Sequence, residues 1–170
     1  MTGFAEKYSK LMDKIVTVIK VLVAVALVVM TVVTFMEVIR RYIFGLSFVW
    51  AEELTRFLLV GVSFIGGAAA YKVGGMACFD LIVTHFGKGK IKVTKGFKII
   101  DNLLIGIFST YLAINGFSYS FAPMVARMRS TGLKLNMTIV YITIPIGFTL
   151  IVLFAIEQII KAVKEKEGDE

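Results

Sequence analysis

The stretch RRYIFGLSFVWAEELTRF, Arg40 to Phe57, gathers three arginines, two glutamates and a tryptophan between two long apolar runs. Glu37 precedes Arg40 and Arg41 by three and four residues, and Glu52 and Glu53 precede Arg56 by four and three. Those spacings bring side chains together on one face of a helix, so the chemistry they offer is ion pairing. Reactive groups are sparse elsewhere. Cys78 is the lone cysteine and His85 the lone histidine, a composition that excludes an intrachain disulfide, a dense Cys/His metal motif and a bis-histidine haem site. The chain shows no Walker A loop, no Gly-x-Ser-x-Gly elbow and no nucleophile with a matching base. It reads as a protein that is not an enzyme and binds no cofactor or metal.

The elements that must carry these charges are set by composition. Of the 170 residues, 58% are hydrophobic, well above the average for a soluble chain. A bilayer core about 30 Å thick needs roughly 20 apolar residues of helix to cross it. Four segments qualify, at about 15–36, 50–71, 99–121 and 137–160. The expected fold is an all-α membrane protein with four transmembrane helices, a single integral membrane domain over residues 1–170. Lys20 lies where its long stem can reach the headgroups, and Pro145 is expected to kink the fourth span. A further apolar stretch at about 76–86, holding Asp80 and His85, is too short to cross and reads as an interfacial helix in the central loop. The first run is longer than a signal-peptide core of about 7–15 residues and no A-x-A site follows it, so it is expected to be retained.

Orientation follows from the basic residues, which are held on the cytoplasmic side more readily than they are translocated. Thirteen of the 19 fall in the N-terminal tail with Lys20, the central loop and the C-terminal tail. Both termini are therefore expected to be cytoplasmic. The net charge of +7 then reflects topology and attraction to anionic membrane lipids, and no nucleic-acid partner is needed to explain it.

On this layout the opening stretch is the outer hairpin between spans one and two. Gly45 is expected to supply the left-handed turn that ends the first helix, Ser47 to cap the second, and Trp50 to sit among the headgroups. Two readings of the charges stay open: they anchor the hairpin at the membrane boundary, or some of them face a protein partner. Gly66, Ala70 and Gly74 recur every four residues and present a small-residue face for helix packing, within this chain or against another. Asn115 is a candidate for an interhelical hydrogen bond. No span carries a polar stripe along its length, which disfavours an autonomous transporter or a channel formed by a homo-oligomer.

The region from Arg41 to Ile82 resembles the signature of the small membrane subunit of tripartite ATP-independent periplasmic (TRAP) transporters. The matching elements are Arg41, Tyr42 and Phe44, then Trp50, Glu52 and Glu53, then 66–70, then Gly74 and Gly75. One departure is Met76, where members often carry a histidine. The resemblance implies a multi-pass protein of the bacterial or archaeal inner membrane that scaffolds a large membrane subunit. A periplasmic substrate-binding protein would deliver an organic acid, such as a sialic acid or a C4-dicarboxylate, for uptake with sodium. Arg41, Tyr42, Trp50, Glu52, Glu53 and Arg56 would then be partner-interface or anchor residues.

Overall fold

The computed structural model of the chain describes residues 2–74 and 91–167. Helix α1 runs over Thr2–Phe44, α2 over Val49–Gly74 and α3 over Ile91–Ser120. Two short helices follow, α4 at Pro123–Arg127 and α5 at Thr138–Tyr141, before the long α6 at Thr143–Glu167. Among the described residues four helical segments are long and apolar enough to cross a membrane, and the only β-type pairing is an isolated bridge between Arg129 and Asn136. The interfacial segment expected at 76–86 lies outside the described residues.

The helices extend beyond the apolar spans, α1 most of all. Its 43 residues measure about 64 Å, roughly twice the hydrocarbon thickness. The extension has a packing cause: Met12, Val16 and Ile19 are buried against Ala68, Ala69 and Phe154, so the lysine-bearing tail stays helical in order to seat one side in the bundle. Along much of the rest of α1 large side chains face outward; Val18, Leu22 and Val28 each keep more than half of their surface. In water such a surface would drive association, whereas against acyl chains it is a solvated face.

Helix α6 is the centre of the arrangement, packing on α3 along one side and on α2 along the other, with α1 laid against α2. The approach of α6 to α2 is close because Gly147 has no side chain: a Cβ there would fall 2.8 Å from both the Cβ and the carbonyl oxygen of Phe64. The fourth span is one helical run, Thr138–Ala162: Ile142, between α5 and α6, keeps right-handed helical dihedrals (φ −66°, ψ −21°) and donates its N–H to the Thr138 carbonyl. Pro145 stands within that run and has no N–H to donate to the Tyr141 carbonyl, so the backbone ladder lacks one bond there. The Thr143 hydroxyl donates to the carbonyl of Val140, beside the missing bond.

Candidate functional site

Two polar assemblies close the two ends of the bundle. At the hairpin end α1 stops at Phe44 and Gly45 takes φ +65°, the left-handed turn expected of it. Ser47 does not cap α2. Its hydroxyl donates to Glu37 Oε1 at 2.5 Å, and the backbone N–H of Phe48 donates to both oxygens of the same carboxylate at 3.1 Å. A glutamate two turns back in α1 therefore satisfies the entry to α2, which a local cap would otherwise have to do. The Arg40 guanidinium lies 3.5 Å from the centroid of the Phe48 ring, a cation–π contact that fixes the same turn.

The acidic residues of the next turn go separate ways. Glu52 pairs with Arg56 at 2.9 Å, four residues on, and both side chains are exposed. Glu53 does not pair with Arg56. Its carboxylate accepts the hydroxyl of Ser130 and three backbone N–H groups, those of Thr131 at 3.0 Å, Gly132 at 2.9 Å and Leu133 at 3.0 Å. The turn that supplies these donors is held by Ser130 N–H donating to the carbonyl of Leu135 at 2.9 Å, and Lys134 adopts φ 54° within it. Gly132 sits so close to α2 that a Cβ would lie 2.9 Å from the backbone nitrogen of Trp50. One carboxylate thus fastens the loop between α3 and α6 to the start of α2.

The sequence candidates divide accordingly. Arg41, Glu52 and Arg56 line a groove of about 360 Å³ between α1 and α2, together with Glu37, Ser47 and Thr55. Trp50 and Glu53 belong to the loop contact instead, with the Trp50 ring 5.4 Å from that of Phe48. Tyr42 projects outward, 85% exposed. Of the small residues, Gly66 meets Val23 of α1, with a Cβ placed 3.4 Å from its methyl group, whereas Ala70 and Gly74 are exposed and Ala68 and Ala69 fill the core. Among the described residues Asn115 makes no interhelical bond: its amide donates to the Tyr111 carbonyl at 2.8 Å, one turn back on an exposed face.

The opposite end, which carries both termini, holds an assembly that the sequence did not single out. Glu157 is 2% exposed and sits among three polar groups. Its Oε1 accepts the Ser9 hydroxyl at 3.0 Å and lies 2.7 Å from Lys161 Nζ, while Oε2 is 3.0 Å from Lys72 Nζ. That last contact is not aligned as a hydrogen bond, so its attraction is chiefly Coulombic. Lys72 also meets Asp13 at 2.8 Å. Three helices are joined through two buried charges, and Tyr71 extends the connection to α3 by donating its hydroxyl to Asn102 Oδ1. A local signal existed for the pair four residues apart, Glu157 with Lys161. Nothing local links either residue to Lys72 or Asp13. Among the described residues no group of three or more histidines, cysteines or carboxylates is placed to hold a metal ion.

A multi-pass membrane protein, its ends tied by internal polar contacts, is the class that this fold and these sites define. Residues 30–165 match the family described as "Tripartite ATP-independent periplasmic transporters, DctQ component", and the chain belongs to that family. It is an inner-membrane component of a transporter, in a family of transport proteins and not of enzymes. A search of curated proteins found no match to the chain.

Proposed function

We propose that this chain is the small subunit that scaffolds the large membrane subunit of a TRAP transporter, for sodium-coupled uptake of an organic acid delivered by a periplasmic binding protein. Family membership supports the assembly. The scaffold role is supported above all by where the polar groups go: Glu37, Glu53 and Glu157 are each engaged by donors of this same chain, so they stitch helices together and do not line a path for solute. Transporter sites near the midplane instead use broken helices with free polar groups facing a cavity. In liposomes carrying a sodium gradient, the purified chain alone should take up no labelled organic acid, and uptake should appear when the large subunit and binding protein are added. Robust uptake by the chain alone would sink the scaffold reading in favour of an autonomous transporter.

On the same reading residues 1–170 form one membrane unit with both termini cytoplasmic, supported by the thirteen basic residues at the terminal end and central loop. Single cysteines placed at Leu46 and Arg129, in a background with Cys78 replaced, should react with an impermeant thiol reagent added from outside. Cysteines at Lys90 and at the C-terminus should not. External labelling at Lys90 inverts the orientation.

A further inference from the structure

Tyr111, Asn115, Ser118 and Tyr119 of α3 fall at helical intervals of four, seven and eight, on one face, and all four are exposed. The half of that face nearer the terminal end is apolar and also exposed, with Ile100, Leu103, Leu104, Ile107 and Phe108. Depth makes the polar half unusual. Asn115 stands five residues before Ser120, the last residue of α3, and Tyr111 nine, so at about 1.5 Å per residue they lie roughly 8 and 14 Å inside the end of the span. Tyr119 is at headgroup level, where tyrosine is common, but Tyr111 is close to the middle of the hydrocarbon.

Acyl chains offer no hydrogen bond at that depth. One N–H of the Asn115 amide is used on the Tyr111 carbonyl. Among the described residues its other N–H, its carbonyl oxygen and the Tyr111 hydroxyl have no partner. Leaving such groups against lipid is unfavourable, whereas a neighbouring helix can satisfy them. The exposed face of α1 at comparable depth is entirely apolar, with Val21, Val25 and Val28, and suits lipid. We propose that the outer half of α3, centred on Asn115, is the face on which a transmembrane helix of the large subunit docks, bringing a hydrogen-bonding side chain to that depth. The proposal rests on the reading of this chain as the small subunit. A second copy of the chain fits less well. Apart from Ser118 the α3 face is built of large side chains, so the partner must supply the small residues that let two helices approach.

The test uses the complex of the full chain with its large subunit, carrying a photo-crosslinking phenylalanine analogue at position 115 or, as a control, at position 28. Cross-linking to the large subunit from 115 and not from 28 is the expected result. Asn115→Leu should weaken co-purification about three- to thirtyfold, the range expected for one interhelical hydrogen bond. Asn115→Gln should retain more of it, and the unfolding temperature of the chain alone should not change with either variant. Products with lipid only at 115, products joining two copies of this chain, or large-subunit products from 28 but not from 115 would each overturn the docking face while leaving the subunit reading standing. If the two proteins fail to co-purify before any substitution, the subunit reading falls and this proposal with it.

Discussion

Glu157→Ala should be the most damaging single substitution in the described residues. It strips the buried Lys72 of one of its two carboxylates and leaves Ser9 and Lys161 without their acceptor. Removing one partner of a buried ion pair costs about 3–5 kcal/mol, because the surviving charge stays out of water. Asp13 is 64% exposed and still reaches Lys72 at 2.8 Å, which places the expected loss toward the lower end of that range. Thermal unfolding of the purified chain in detergent measures it. Lys161→Ala removes an exposed contributor and should change the same quantity by only about 0.3–0.5 kcal/mol. Combining Lys72→Met with Glu157→Gln should cost less than the two single changes together, since neither charge is then left buried alone. Equal, small effects of Glu157→Ala and Lys161→Ala would show that Glu157 is hydrated and that the assembly does not hold the three helices together.

The parts of the fold that were legible in the sequence are those the bilayer dictates. Four apolar lengths gave four membrane-crossing segments, and Gly45 could be read as the end of the first helix because left-handed backbone favours glycine. Charge partners were legible only at helical spacing, where Glu52 and Arg56 do meet. Glu37 and Glu53 satisfied the same spacing rule and found partners elsewhere, since backbone N–H groups at a turn lack partners within a helix or strand and an exposed arginine has water. Lys72 falls, in the sequence, among the basic residues counted with the central loop. Its burial depends on α1 continuing as a helix through the polar tail, which Met12 and Val16 dictate only once Ala68, Ala69 and Phe154 are known to lie opposite. The exposed α3 face was hidden for a related reason: lipid and a neighbouring helix both accept apolar surface, so periodicity alone could not say where Asn115 points.

The Glu53 contact should dominate the hairpin end in the same way. Four donors converge on its carboxylate, three of them backbone N–H groups of one turn, of which only that of Leu133 has a second acceptor, the Ser130 hydroxyl at 3.3 Å. Glu53→Ala should therefore lower the unfolding temperature and raise proteolysis within 128–137. Glu53→Gln should lie between the alanine variant and the native chain, because its amide keeps one oxygen for the turn but points an N–H₂ at the remaining donors. Gly132→Ala probes the same contact from the other side. With a Cβ 2.9 Å from the Trp50 nitrogen and 3.0 Å from Glu53 Oε2, it forces the loop off α2 at a cost of about 1–3 kcal/mol. Glu52→Gln and Arg56→Gln break only an exposed pair and should leave unfolding nearly unchanged. Since Glu53 and Arg56 share no partner, the double change to glutamine should be additive. A rescue of Glu53→Gln by Arg56→Gln would mean that the two charges are paired after all and that the loop contact is secondary. The loop is fastened to Trp50 and Glu53, beside the groove lined by Arg41, Glu52 and Arg56, so a partner bound there would feel its release. Weaker co-purification of the large subunit with Glu53→Ala, alongside unaltered co-purification with Arg56→Gln, would place the contact in the loop; the reverse pattern would place it in the groove.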